Sequence, residues 1–231
     1  MGNGIWLKTY ERKCAEVKAF IFDLDGVIVQ TDKLHYKAWK VIADEMRIFF
    51  DEEINNRLRG VSRMESLEII LEQYHGPALT HEQKEALATR KNDIYRELLR
   101  KMTPGDVSPA VRTTLQELRK AGYLLAVGSS SKNAKLILEK TGLTEYFDAI
   151  SDGTNITKSK PDPEVFLKAA EYLCTEPSDC VVVEDALAGL VAAKAAGMTG
   201  VGIGDNVRGI DGDYHIDGLA ELLESPSFSG R

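Results

Sequence analysis

Two aspartates separated by one residue follow a short apolar run near the start of the chain, in the stretch FDLDG. They are Asp23 and Asp25, and Gly26 beside them can adopt backbone angles that other residues avoid. Carboxylates this close repel each other unless a cation or a shared proton intervenes. Such a pair can supply a nucleophile and a proton shuttle. An acid after a strand is, however, more often a solvated turn residue or a helix cap.

More acid follows a later apolar run, at Glu184-Asp185. If both acidic segments lie at one edge of a sheet, their combined negative charge is costly without a cation. Mg²⁺ suits such a place because it prefers carboxylate oxygens and retains some of its waters. The acids therefore predict a magnesium site.

Groups that suit a phosphate follow two other segments. Ser129 and Ser131 precede Asn133 in GSSSKN, where hydroxyls and backbone N–H groups at a helix start can cradle an anion. Lys160, before a proline, adds a compact positive charge. Each feature alone is more often a polar loop or a helix entry. Together, each after a strand, they favour phosphoryl transfer, in which positioning and charge stabilisation dominate.

The elements that must position these groups alternate along the chain. Apolar runs at 18–23, 123–127, 147–150, 180–183 and 199–203 predict strands, and helical patterns cover 111–121, 132–141, 163–173 and 186–196. This alternation predicts an α/β fold with a Rossmann-like, doubly wound parallel sheet. Ligands bind at the carboxyl ends of strands in such sheets, so the polar groups converge there.

The segment between the first two strands has only helical periodicity. Residues 32–103 are therefore predicted to form an all-helical cap domain, inserted into a core domain made of 17–31 and 104–231. Residues 1–16 are interpreted as an N-terminal extension without an assigned function.

Composition excludes several classes of protein. The chain has 231 residues and a net charge of -7, which argues against nonspecific nucleic-acid binding. Three cysteines without close spacing fit reduced thiols and a cytoplasmic location. No apolar run approaches the roughly 20 residues of a membrane span, so no membrane partner is expected.

Four stretches together resemble the motifs of the haloacid dehalogenase-like (HAD) superfamily: FDLDGVIVQT, VGSSSKN, KSKPDP and VVVEDALAGL. Over residues 17–218 the chain is most similar to the β-phosphoglucomutase family, with RLRGVSRMESLEIIL in the cap carrying much of the likeness. That family interconverts β-glucose 1-phosphate and glucose 6-phosphate through β-glucose 1,6-bisphosphate. One departure is Gln30, which stands at the cap hinge beside Thr31 where the family usually has Asp.

The resemblance implies roles for individual residues. Asp23 becomes an aspartyl phosphate, Asp25 is the general acid/base, and the transferring phosphoryl group is held by Ser129 and Lys160. The implied magnesium ligands are Asp23, the backbone carbonyl of Asp25, Asp185 and, assisting, Glu184. The implied substrate-binding residues are His35, Arg59, Gly60, Arg63 and Ser66 of the cap, with Ser131 and Asn133 of the core.

The cap residues also have ordinary interpretations. His35 could be a histidine on a helix face, and Arg59 a solvated charge. Arg63 suits the second, non-transferring phosphate because a guanidinium fork matches its oxygens. Binding there would favour cap closure, which excludes water from the aspartyl phosphate.

Two other functions stay open. A sugar-phosphate phosphatase would use the same core but release inorganic phosphate. A catalytically silent sugar-phosphate-binding protein is disfavoured because both aspartates and Lys160 are intact. A dehalogenase would not need the additional acids. The expected partner is a small sugar phosphate, bound by a monomer.

Overall fold

The computed structural model describes residues 17–58, 61–210 and 212–224. The predicted extension at 1–16, Arg59, Gly60 and the end of the chain lie outside this range. Within it, six strands are β1 Ala19–Phe22, β2 Leu124–Gly128, β3 Ala149–Ser151, β4 Cys180–Glu184, β5 Thr199–Ile203 and β6 Tyr214–Ile216. The α-helices are α1 Asp32–Glu45, α2 Glu52–Asn56, α3 Arg63–Leu71, α4 His81–Leu99, α5 Pro109–Lys120, α6 Ala134–Thr141, α7 Glu164–Tyr172 and α8 Leu187–Ala195.

The strands form one parallel sheet in the order β3-β2-β1-β4-β5-β6. The first strand lies in the middle, between β2 and β4, with Phe22 opposite Val127 on one side and Val183 on the other. From β1 the sheet grows in both directions, with β2 and β3 on one side and β4, β5 and β6 on the other. Open α/β sheets bind their ligands at such a switch point, beyond the carboxyl ends of the strands.

Helices cover both faces of the sheet, as alternate residues of β1 demonstrate. Phe20 and Phe22 belong to the core cluster that contains Leu115 of α5. Ile21 points the other way, into the cluster that contains Phe166 of α7. Because successive side chains of a strand point to opposite faces, one short apolar run serves both layers.

The cap has its own apolar core, made mainly by α1, α3 and α4. Trp39 and Ile42 of α1 pack with Leu67 and Ile70 of α3. Ser62 and Glu65 form a reciprocal capping box at the start of α3, and this arrangement satisfies backbone donors that the first turn leaves unpaired. Within the described part of the chain, no helix is both long and apolar enough to cross a membrane.

The structure confirms the predicted fold class, a doubly wound parallel sheet with helices. The sequence prediction missed β6, which has three residues and two exposed positions at the sheet edge, too few to show a strand pattern. The helix predicted from residue 132 begins at Ala134 instead. The preceding residues form a turn stabilised by backbone N–H groups that donate hydrogen bonds to serine hydroxyl oxygens.

Candidate active site

Asp23, just beyond β1, lies in a buried ion-pair cluster. Lys160 Nζ donates to Asp23 Oδ1 at 2.5 Å and to Glu184 Oε1 at 2.8 Å. Burial alone would lower the pKa of Lys160, but the two carboxylates outweigh it and raise that pKa. Lys160 therefore stays charged. Burial raises the pKa of Asp23, and the charge of Lys160 partly opposes this effect. A further cation beside Asp23 would favour its ionised form.

Three carboxylates meet here. One oxygen each from Asp23, Glu184 and Asp185 lies within 4.8 Å of the others. Gly26, with φ +100°, allows the turn after β1 to approach Asp185 so closely that a Cβ would overlap its carboxylate. Lys160 pairs with two of these carboxylates, Asp23 and Glu184. Three carboxylates supply the hard oxygen donors that fit a Mg²⁺ ion.

Asp25 is held by Thr31, one of the two predicted hinge residues. The Thr31 hydroxyl donates a hydrogen bond to Asp25 Oδ1. Burial raises the pKa of Asp25, and the Thr31 hydrogen bond partly opposes this. A carboxyl group with a raised pKa is suited to give and take a proton near neutral pH. Gln30, the departure from the family pattern, donates through Nε2 to the Gly26 carbonyl at 2.8 Å.

The turn after β2 presents the predicted phosphate donors. Ser129 Oγ accepts from the Ser131 N–H at 3.1 Å, and Ser131 Oγ accepts from the Asn133 N–H at 3.2 Å. The Lys160 backbone N–H donates to Ser130 Oγ at 3.4 Å, linking the two loops. These bonds fix the chain just before α6 and leave the hydroxyl protons available to a ligand.

The cap contacts the core through an asparagine. Asn92 Oδ1 on α4 accepts from Arg63 Nη2 at 2.8 Å and from Asn133 Nδ2 at 3.0 Å. Arg63 is the first residue of α3, and Asn133 precedes α6 in the core. Two predicted substrate-binding residues from different domains thus share one acceptor.

Lys91 and His35 form a contact between two basic side chains in the part of the cavity wall that the cap provides. Lys91 Nζ is 2.8 Å from His35 Nδ1 and lies over the rings of Trp39 and Tyr95. Lys91 is only 3% exposed, and burial with the nearby Arg63 lowers its pKa to about 7. Burial, Lys91 and Arg63 lower the pKa of His35 well below its ordinary value. The shifts of both pKa values favour the neutral forms of the Lys91 and His35 side chains.

Most of these groups line one cavity of about 680 Å³ between cap and core. Among the predicted residues, its lining includes Asp23, Asp25, His35, Arg63, Ser66, Ser129, Ser131, Asn133, Lys160, Glu184 and Asp185. The volume is typical of sites for small organic ligands. Gln30, which is exposed, and Thr31, which is buried, are the predicted hinge residues and precede the cavity-lining Asp32. Arg59 and Gly60 lie outside the described residues.

Among the cavity-lining residues that sequence reasoning missed are Lys91, Asn92 and Tyr95. The available signal was Lys91 itself. It occupies the apolar stripe of α4 with Ala88, Tyr95 and Leu99, all buried at spacings of three or four. A charged residue on a buried helix face rarely persists without a partner or a function.

Three features define a class of capped α/β proteins. They are the order of the parallel strands, the helical cap after β1, and the carboxylates at the ends of β1 and β4. The haloacid dehalogenase-like hydrolase family matches residues 17–197. The chain is 43% identical to β-phosphoglucomutase of Bacillus subtilis over 209 residues, covering 89% of this chain and 92% of that protein. The chain belongs to the haloacid dehalogenase-like superfamily and, within it, to the β-phosphoglucomutase family.

Other relatives span related chemistry. A crystal structure of β-phosphoglucomutase from Clostridium difficile superposes with a TM-score of 0.81 at 36% identity, covering 89% of this chain and 93% of that one. A phosphorylated carbohydrates phosphatase of Thermotoga maritima is 30% identical over 184 residues, which is 79% of this chain and 82% of that protein. Mutases and phosphatases therefore share this architecture.

Proposed function

We propose that the protein is a β-phosphoglucomutase, interconverting β-glucose 1-phosphate and glucose 6-phosphate through an aspartyl phosphate on Asp23. The observation that carries this proposal is that one cavity contains two sets of donors suited to phosphate. Lys160 and Ser129 belong to the core side, while Arg63 and Asn133 meet at the cap contact. A bisphosphate intermediate requires two such sets.

The core side performs the covalent step. A carboxylate oxygen of Asp23 attacks phosphorus, the bond from phosphorus to the sugar oxygen breaks, and Asp25 gives that oxygen a proton. In the return step Asp25 takes a proton from another sugar hydroxyl. The oxygen of that hydroxyl attacks phosphorus of the aspartyl phosphate, and the bond from phosphorus to Asp23 breaks, which releases the carboxylate. Repetition with the bisphosphate turned end for end moves the phosphoryl group between C1 and C6.

Charge stabilisation comes from the groups around Asp23. Lys160 neutralises phosphoryl oxygens while remaining tied to Glu184. When bound, Mg²⁺ supplies further neutralisation of phosphoryl charge, and Asp23, Glu184 and Asp185 are the carboxylates that would hold it, with the Asp25 carbonyl.

The cap decides what accepts the phosphoryl group. With Arg63 on the second phosphate, binding energy from that phosphate favours a closed cap and exclusion of water. Thr31 at the hinge holds the Asp25 carboxylate, so closure and positioning of the acid/base are linked through one side chain.

A coupled assay tests the proposal. The purified protein is given Mg²⁺, β-glucose 1-phosphate and a trace of the bisphosphate, and glucose 6-phosphate and free phosphate are followed together. We expect glucose 6-phosphate to form much faster than phosphate. Asp23→Asn should abolish both products because it removes the nucleophilic carboxylate. Substantial residual isomerisation in that variant would contradict the mechanism.

Arg63→Ala tests the cap. Loss of a charge-assisted contact to phosphate is expected to lower kcat/KM by about 10- to 100-fold. Arg57→Ala is the matched control, because Arg57 pairs with Glu72 at 2.7 Å on the exposed cap surface. Equal kcat/KM in the two variants would refute the role of Arg63.

A second candidate is a sugar-phosphate phosphatase, favoured by the 30% identity to the Thermotoga maritima protein. It requires water to reach the aspartyl phosphate. Free phosphate released from hexose monophosphates as fast as isomerisation would favour it. A silent binding protein would form neither product, yet still bind a sugar phosphate.

A further inference from the structure

Asn92 is the residue at which cap and core share a hydrogen-bond acceptor. Its amide oxygen accepts hydrogen bonds from Arg63 Nη2 at 2.8 Å and from Asn133 Nδ2 at 3.0 Å. An amide oxygen has two lone pairs, so these two donors saturate it. Asn133 is 4% exposed, and its side chain is therefore held in a fixed direction by this bond.

The two donors keep unused capacity. A guanidinium has five N–H donors and a side-chain amide nitrogen has two hydrogens. One hydrogen of each goes to Asn92, and the remaining ones can serve an oxyanion in the cavity that both residues line. Fixing a donor before the ligand arrives lowers the entropy that binding costs.

The neutrality of Asn92 also matters. A carboxylate in its place would form a charge-assisted bond with Arg63 and offset the charge that a phosphate needs. Burial already lowers the pKa of Arg63, and Asp93 opposes that effect. An asparagine holds the guanidinium without neutralising it.

We propose that Asn92 is a positioning residue that aims Arg63 of the cap and Asn133 of the core at the second phosphate of the substrate, and that it must be uncharged to do so. This inference rests on the proposed function, because it takes the second phosphate of a hexose phosphate as the ligand. Asn92 acts through its two neighbours and takes no part in phosphoryl transfer.

The test measures binding at the second site by itself. Mg²⁺ and fluoroberyllate are added first to occupy the Asp23 side, and the Kd of glucose 6-phosphate for this complex is measured by calorimetry. Asn92→Ala should raise Kd about fivefold, as for one net hydrogen bond. Asn92→Asp should raise it about 50-fold, since the new charge competes for Arg63 and repels the phosphate.

Two controls separate positioning from structure. Asn55→Asp adds the same charge to another residue of the cavity wall and should raise Kd less than about threefold. In an Arg63→Ala background, Asn92→Asp should raise Kd less than about threefold further, because the guanidinium with which the new carboxylate would pair is absent. Thermal unfolding of each variant verifies that it is folded.

The outcomes are distinct. A wild-type Kd for Asn92→Asp, a loss equal to that of Asn55→Asp, or an undiminished effect without Arg63 would each overturn the inference. Absence of glucose 6-phosphate formation in the coupled assay would instead refute the proposed function. The calorimetric comparison stands in either case, because it needs no turnover.

Discussion

Replacing Lys91 by methionine is expected to make the protein more stable and less active at pH 7. Lys91 is 3% exposed, and its pKa falls from an ordinary 10.5 to about 7 on folding. Such a fall opposes folding by about 4 kcal/mol at pH 7. The variant also loses the His35 contact and the aromatic contacts, worth about 1–2 kcal/mol. The net gain in unfolding free energy is therefore about 2–3 kcal/mol.

The pH dependence gives a sharper form of this prediction. Between pH 7 and 10.5 the unfolded lysine holds a proton that the folded one has lost, so wild-type unfolding takes up a proton. Raising the pH over this range stabilises the wild type relative to Lys91→Met, by about 1.4 kcal/mol per pH unit. The advantage of the variant should therefore shrink between pH 7 and pH 9.

Urea unfolding at pH 7, 8 and 9 measures these differences. Lys84→Met is the matched control, because Lys84 lies on the same helix with 26% of its side chain exposed, paired to Glu68 at 2.8 Å. Its unfolding free energy should stay within about 0.5 kcal/mol of wild type at each pH. A Lys91→Met variant less stable than wild type at pH 7, or with a pH-independent gain, would refute the reasoning. Stability gained with turnover lost would show that Lys91 is retained for function.

Three further predictions concern the core. Gly189→Ala places a Cβ against the Glu184 carboxylate, so that Glu184 must move away from Lys160. In the coupled assay kcat is expected to fall at least about tenfold. Normal turnover would mean that the contact between Glu184 and Lys160 is dispensable. Gln30→Glu removes the donor to the Gly26 carbonyl and is expected to lower the free energy of unfolding in urea by about 1 kcal/mol. An unchanged urea midpoint would mean that the hydrogen bond from Gln30 does not stabilise the turn. Chelation with EDTA should abolish isomerisation and added Mg²⁺ should restore it, and full activity without any divalent ion would exclude the metal role of the acidic cluster.

Local pattern was sufficient for the α/β architecture and for the residues at the strand ends. An apolar run that ends in acids, serines or lysine predicts a strand with a polar end from a few residues alone. A parallel sheet then brings such ends to one edge. The sequence therefore predicted that Asp23, Asp25, Glu184 and Lys160 would come together, and the four residues line one cavity. The three-residue strand β6 was not, because it has little local signal and depends on pairing with β5.

Only the tertiary structure determined how cap and core meet. The contact of Asn92 with Arg63 joins residues 29 apart, and that with Asn133 joins residues 41 apart. Likewise, the Lys91 contact with His35 spans 56 residues. No periodicity encodes such pairs, because they depend on the angle at which α4 packs on α1 and faces α6. The sequence by itself thus predicted a phosphoryl-transfer site at Asp23, whereas the packing of the cap determined which side chains of cap and core meet in the cavity.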